Sequence, residues 1–362
     1  MRKWNLAAVE QAFAAAAFDP NLWQAAMDCI AEQTESRGAL ILPMLGRPLP
    51  NIPISESLMR AAETYFRDEW YQRDVRFHVN PETFRRVGAV DDFDCTAIET
   101  ISSDPFYQDF LAPAGLQWFG GVALQTGEDL WCLSLNRGIN QDPFSPEEKA
   151  KLAQLSRSLS TAAATSRALG VAASTATLEA FDISQTAAVL LNPMGEVVRT
   201  NRSADRLLTG DVKIVSRRIT SVDRNATSAL DRALSRLLRS RAEASLMPPI
   251  PLRRAGQNPV LAYPLKLPSM SASALSPAQA AIILIDPGAQ RRSPEVSLRS
   301  AFGLTPAESR LASHLGTGQS LETICEELEI SKETGRNQLK SIFAKTGVHR
   351  QSEMVLLLSK ML

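Results

Sequence analysis

Histidine is scarce in this 362-residue chain: only His78, His314 and His349 occur. Four cysteines, Cys29, Cys95, Cys132 and Cys325, are scattered, and no C-x-x-C pair exists. A metal site needs clustered donors, and a nucleophile needs a base with an orienting acid. Neither set can be assembled from these residues, and no glycine-rich phosphate loop occurs. The chain is therefore expected not to be an enzyme and to need no cofactor or metal. Isolated cysteines behave as buried thiols, which fits a reducing compartment.

Long apolar runs are missing too. No stretch approaches the roughly 20 apolar residues of a membrane span. The start, MRKWNLAAVEQAFAAAAF, is interrupted at Glu10 and Gln11, so it reads as an amphipathic helix and not as a secretory signal. A cytoplasmic protein without a membrane partner is expected. Net charge is absent as well, with 39 Lys plus Arg against 39 Asp plus Glu. Only a local basic face could then serve nucleic-acid binding. Hydrophobic residues at 44% and charged residues at 22% mark a globular chain. Its length suits two or three domains.

What is present falls into segments. Residues 1–33 read as helical with a break at Asp19-Pro20, and GALILPM (Gly38–Met44) reads as a strand. A Pro-rich loop spans Gly46 to Pro53, and Ser55 is a candidate cap for the helix bearing Leu58, Ala62, Tyr65 and Phe66. Gln117 to Asn136 carries a hairpin signal with its turn near Gly127-Glu128. Ser145-Pro146-Glu147-Glu148 opens a long helix with a capping box. The helix's apolar repeat, Leu152, Leu155, Leu159, Ala162 and Ala163, suits helix-on-helix packing and makes residues 146–170 a candidate subunit-pairing surface. A second unit follows, with strands at 186–192, 197–200, 248–252, 260–267 and 280–286. Short helices between them give a sheet with helices on one side. Ser269–Pro277 reads as a polar loop, and PGAQRRSP (287–294) as a linker.

Residues 304–358 carry the strongest pattern. Thr305, Pro306 and Glu308 form a helix start with a capping box. Ser320 caps a second helix, Glu329-Ile330 makes a tight turn, Ser331 caps a third helix and Gly347 stops it. Lys332, Arg336 and Lys340 recur every four residues, so they share one helical face. From Ser331 onward six basic residues (Lys332, Arg336, Lys340, Lys345, Arg350, Lys360) face two acidic ones (Glu333, Glu353). Glu322, Glu326, Glu327 and Glu329 crowd the preceding helix instead. Two helices joined by a short turn, the second basic on its outside, is the helix-turn-helix plan for double-stranded DNA.

This segment resembles the C-terminal domain of LuxR-type (FixJ/NarL-type) transcription regulators. The likeness rests on Leu304-Thr305, Glu308, Gly318, Ile324, Leu328, Ile330-Ser331, Thr334, Asn337, Lys345, Gly347-Val348, Arg350 and Glu353. Two positions depart from it: Gly335 stands where the family usually has Val, and Gln338 where it usually has His. The resemblance implies that Arg336, Asn337 and Lys340 reach base edges, while Lys332, Thr334 and Lys345 lie near phosphate. It also implies a homodimer, with RNA polymerase as a further partner.

The remainder is less like any one relative. Response regulators of this type begin with a phosphoacceptor domain. In this chain Asp91-Asp92 lie far from the N-terminus with no strand expected to deliver them, so phosphorelay is not expected. The quorum-sensing branch carries a Trp-x-x-x-Tyr pattern with a later Asp; Tyr65, Trp70, Tyr71 and Asp74 cluster at a different spacing. YFRDEWYQRDVR and DPFYQDFLAPAGLQWFGG resemble GAF-like sensory halves. Leu191 to Glu196 and Asn201 to Ala204 resemble the first hairpin and helix of a PAS domain, and residues 178–286 contain neither Cys nor His. Trp70, Tyr71, Asp74 and Trp118 are candidate ligand-binding residues, set against the plainer reading in which the aromatics are core and Asp74 with Arg76 is a surface ion pair. The expected fold is multidomain α+β: a GAF-like sensory and dimerisation domain at 1–165 ending in a long helix, a PAS-like domain at 178–287, a linker at 288–297, and an all-α four-helix helix-turn-helix domain at 298–362. The first two could sense a small molecule or bind another protein, or the chain could bind DNA constitutively with no small-molecule ligand.

If residues 291–362 carry DNA binding, a chain truncated before residue 291 loses duplex binding in a mobility-shift assay. A shift of the same duplex by residues 1–290 alone contradicts the assignment.

Overall fold

The computed structural model describes residues 4–44, 52–239, 247–267, 275–288 and 295–359. The loops expected at 46–53 and 269–277, the linker at 288–297 and Lys360 lie wholly or partly outside them. The chain divides into two compact units, Met1–Ile285 and Asp286–Leu362. Helices mixed with antiparallel sheets give the α+β character expected from the sequence.

The first unit opens with α1 (Leu6–Phe18) and α2 (Trp23–Gln33). Asn5 caps α1 by accepting from the Ala8 amide, and Asp19 accepts from Asn21 to make the break between the two helices. Four strands follow: β1 (Gly38–Pro43), β2 (Ala89–Asp91), β3 (Leu116–Thr126) and β4 (Asp129–Gly138), antiparallel in the order β1-β4-β3-β2. The β3–β4 turn uses Gly127 at φ +69°, a left-handed conformation that glycine adopts without strain. Nine of the ten β4 residues are buried, because both faces of the sheet are covered. On one face, Leu133 and Leu135 pack with Phe13, Met27, Leu152 and Leu155 from the helices. On the other face lie α3 (Met59–Arg67), α4 (Pro81–Val87), α5 (Asp92–Cys95), α6 (Ile98–Ser103) and a wide helical turn, Phe106–Leu111. Their core holds Tyr65, Phe106, Phe110 and Leu111.

The capping box at Ser145 and Glu148 forms as expected and starts α7 (Pro146–Ile183), longer than the pattern indicated. The apolar repeat of α7 does not face a second subunit. Leu152, Leu155, Leu159 and Ala163 are buried against α1 and the sheet, so this chain itself satisfies the pairing surface read from the sequence. Two smaller expectations also change. Ser55 caps no helix; its Oγ accepts from the Ala39 amide at 3.0 Å and fixes the start of β1. Asp91 does end a strand, β2, whose three residues are too few to show a period.

The second sheet contains β5 (Ala187–Leu191), β6 (Val197–Thr200), β9 (Ile250–Arg254), β10 (Gln257–Lys266) and β11 (Ala280–Ile285), in the order β6-β5-β11-β10-β9. Between them a hairpin, β7 (Val212–Val215) with β8 (Arg218–Ser221), separates α8 (Arg202–Leu207) from α9 (Arg224–Arg239). No residue type signals this hairpin, because Ser216 and Arg217 take positive φ (48° and 62°) where glycine or asparagine would announce the turn. Val189 and Ile282 face Leu230 and Leu234 of α9. The opposite face is covered as well, by Leu178 and Phe181 near the end of α7 against Ala188, Leu190 and Ala281. One helix therefore backs both sheets.

The described residues of the second unit hold helices and no strand: α10 (Glu295–Phe302), α11 (Pro306–Leu315), α12 (Leu321–Glu327), α13 (Lys332–Thr346) and α14 (Gln351–Ser359). Thr305, Ser320 and Ser331 cap α11, α12 and α13, and Gly347 ends α13 at φ +71°. Leu298, Leu311, Leu315, Ile324, Ile342, Met354 and Leu358 form its core. Gly335 is buried inside α13, where an added Cβ would stand 2.3 Å from the Cys325 Sγ of α12. The close approach of the two helices therefore excludes the Val usual at this position.

Alanine for glycine gains about 1 kcal/mol of helix propensity, but overpacking a close contact costs about 1–3 kcal/mol. At 2.3 Å the overlap outweighs the gain. Gly335→Ala lowers stability in urea denaturation, and Cys325→Ala in the same chain restores it. A Gly335→Ala chain as stable as the parent contradicts this packing.

Candidate functional sites

In the second unit, the outward face of α13 presents Lys332, Arg336, Asn337 and Lys340, all exposed. None of the four side chains forms a hydrogen bond or ion pair among the described residues. Other charges of this unit are spent internally, Glu308 with Lys345 and Glu327 with His314. Glu308, at the start of α11, accepts from Lys345 Nζ at 2.6 Å, from Ser341 Oγ at 2.7 Å and from the Thr305 amide at 2.7 Å. Burial works to raise the Glu308 carboxyl, and these donors outweigh it, holding the pKa down at about 2. His314 Nδ1 lies 2.9 Å from Glu327 Oε2, tying α11 to α12. Lys345, expected beside phosphate, is thus occupied by Glu308. Thr334 is likewise engaged, its amide and hydroxyl meeting Ser331 Oγ at 3.1 and 2.9 Å in the α13 cap.

In the first unit, an apolar cavity of about 40 Å³ lies against the sheet face away from α7. Leu40, Leu42, Ile54, Leu58, Tyr65 and Phe110 wall it, and Arg76, Ser134 and Asn136 supply its polar edge. Arg76 is held by Asp74 through two bonds of 2.8 Å, Nε to Oδ1 and Nη2 to Oδ2. Tyr65 Oη donates to Asp74 Oδ2 at 3.1 Å. Arg76 Nη1 donates to Asn136 Oδ1 at 3.2 Å, and Asn136 Nδ2 to Ser134 Oγ at 3.1 Å. The guanidinium also stands 4.6 Å from the Phe106 ring centroid and 5.0 Å from that of Phe119. Behind it, Asp92 accepts from Tyr107 Oη and the Phe119 amide, each at 2.6 Å, and burial pushes its carboxyl up to about 6.

The sequence-predicted ligand residues do not stay together. Asp74 belongs to the site, but as a buried pair with Arg76 (2% and 6% exposed) and not as a surface pair. Trp70 stacks on Phe110 at 5.6 Å and Tyr71 lies beside Tyr65 at 6.4 Å, outside the cavity wall. Trp118 turns away, donating Nε1–H to the Gln141 carbonyl at 2.8 Å. Ser134 and Asn136 went unnoticed in the sequence, although two polar residues at alternate positions of an otherwise apolar strand are a signal for a polar spot on one face.

Comparison with known proteins adds resemblances without a family. No family model matches the chain, and no curated protein matches it. The VqsR LBD domain from Pseudomonas aeruginosa is 18% identical, covering 42% of this chain and 91% of that one at TM-score 0.34. SdiA in complex with octanoyl-rac-glycerol is 11% identical, covering 98% and 95% at TM-score 0.31. VqmA of the Vibrio cholera VqmA-ligand-DNA complex is 14% identical, covering 51% and 87% at TM-score 0.21. At these scores the likenesses carry no argument for this chain.

Glu308 stabilises the second unit through a depressed pKa. Its contribution is complete above the unfolded carboxyl's value of 4.5 and is lost as pH falls from there through about 2. Lys345→Met is therefore less stable than the parent in urea at pH 6, and the gap narrows steadily below pH 4.5. A gap that does not change with pH contradicts the strut.

Proposed function

We propose that this chain is a transcription regulator that binds duplex DNA through α13 and is controlled by occupancy of the first unit. The observation that carries the reading is the division of charge in the second unit. Glu308, Lys345, His314 and Glu327 are committed to one another across helices, whereas Lys332, Arg336 and Lys340 stand together on one face without partners among the described residues. Polyanion contact gives such a face its missing counter-charge. A helix fits the major groove, where Arg336 suits a bidentate contact to guanine and Asn337 to adenine. Lys332 lies at the N-terminal end of α13 beside the phosphate path. Lys345 serves as the strut under this face. In this reading residues 298–362 form the LuxR-type helix-turn-helix domain. The first sheet with its helices is the GAF-like part and the second sheet the PAS-like part. The protein acts as a homodimer, since a single module of this size makes too few contacts for tight specific binding, and it turns over no substrate.

The controlling molecule is best read from the cavity. Asp74 already accepts from Tyr65, the Arg76 amide and the Arg76 guanidinium, so its charge is matched. The Ser134 hydroxyl hydrogen and the remaining guanidinium N–H groups are donors. The site thus favours an uncharged molecule with an acceptor at one end and a short apolar body, entering as the walls open beyond the 40 Å³ at rest. A protein partner in place of this molecule is the alternative.

Titration of the full chain with duplex DNA at several salt concentrations tests the interface. Arg336→Ala costs about 1–3 kcal/mol and relaxes preference at one base position. Lys332→Ala weakens all duplexes alike and lowers the salt slope by about 1. If Arg336→Ala weakens preferred and scrambled duplexes equally, Arg336 touches phosphate and α13 is rotated about its axis from the proposed orientation.

A further inference from the structure

Strand β4 places adjacent residues in two different machines. Its side chains alternate, so Ser134 and Asn136 face the cavity while Leu133, Leu135 and Arg137 face α7. Asn136 accepts from Arg76 at 3.2 Å. One peptide further, Arg137 grips the start of α7. Its Nη2 donates to Glu148 Oε1 at 2.8 Å and Nη1 to Glu148 Oε2 at 3.2 Å. Glu148 is the reciprocal member of the α7 capping box, accepting from the Ser145 amide at 2.8 Å. The Arg137 guanidinium also donates to the carbonyls of Thr34, Asp142 and Pro143 and lies 3.9 Å from the Phe144 ring centroid. Both partners of the ion pair are nearly buried, at 7% and 11% side-chain exposure.

The geometry points to β4 as the lever that reports cavity occupancy to α7, with Arg137 as its positioning residue. The inference rests on the sensing role proposed above for the cavity. A molecule in the cavity lies against Asn136 and displaces it, by contact alone or by also competing for the Arg76 donors, and a shift of the strand there must also move Arg137. Arg137 cannot follow the strand and keep all its acceptors, which come from three separate segments. Its Nε–H is already buried without a partner, so the present arrangement is not fully satisfied. Against this, Lys149, the next residue of α7, is anchored to Asp91 at 3.0 Å and Asp94 at 2.9 Å. A change at Glu148 beside a fixed Lys149 alters the first turn of α7 without displacing the whole strand edge. The far end of the same helix carries Leu178 and Phe181 against the second sheet. A buried ion pair is all-or-none in this setting, because an unpaired Glu148 near the core is costly. That gives the first turn two states for the cavity to bias.

Xenon, which enters apolar cavities, is the probe, applied to the full chain without DNA. Methyl resonances of Leu40 and Leu58 report filling, and hydrogen exchange of amides 147–152 reports the α7 start. Filling is expected to change that exchange by about threefold or more, and Arg137→Met with Glu148→Gln, which removes the pair outside the cavity and leaves no unpaired charge, is expected to abolish the change while the methyl shifts persist. Ala62→Leu, which fills the same space permanently, is expected to act as xenon does and to be silenced in the same way. Filling without a change at 147–152, or a change that survives Arg137→Met with Glu148→Gln, overturns the lever and leaves the sensing role standing. Failure of xenon to fill the cavity sinks both.

Discussion

The buried guanidiniums of Arg76 and Arg137 are each given a counter-charge, and this constraint orders the rest of the structure. Arg76 is matched by Asp74 and Arg137 by Glu148, each through paired bonds from the guanidinium to the carboxylate. Breaking such a pair by removing one partner typically costs about 3–5 kcal/mol, since it leaves a charge with neither water nor partner. The two pairs sit on opposite faces of the first sheet, and β4 runs between them. The helix layers on either side are thereby held at fixed positions by specific polar contacts as well as by the apolar cores of Phe13, Met27 and Leu155 on one side and Phe106 and Phe110 on the other.

The same constraint, applied outward, underlies the role proposed for the second unit. Lys345 is neutralised by Glu308 beneath the surface, yet Lys332, Arg336 and Lys340 are left to solvent on a single face. In a chain whose formal charge sums to zero, such a concentration is an electrostatic feature of one element and not of the protein. Gly335 serves that element: its missing side chain lets α13 lie on Cys325 of α12, so the basic face is presented by a helix seated closely on its neighbour.

Much of this was legible in the residues. The helix starts at Ser145, Thr305, Ser320 and Ser331 could be read because capping uses a short local code of Ser or Thr followed three residues later by a residue with a fixed role. The β3–β4 turn was legible through Gly127. The β7–β8 turn was hidden because Ser216 and Arg217 adopt left-handed conformations that their identities do not advertise. The cavity was harder. Aromatic content drew attention to Trp70, Tyr71 and Trp118, whereas the polar edge is built by Arg76, Ser134 and Asn136, brought together across 58 positions or more by the fold. Non-local contacts of that kind leave no local pattern. The apolar repeat of α7 was visible, but its partner was not, because a stripe that fits another helix fits the chain's own sheet equally well.

The central claim is that α13 reads duplex DNA, and selection from a random duplex pool measures it most directly. Sequencing the DNA retained by the full chain is predicted to reveal an enriched motif in two related half-sites about one helical turn apart, with a guanine whose enrichment disappears in Arg336→Ala. Retained DNA with no enriched sequence, or no retained DNA at low salt, would contradict the claim.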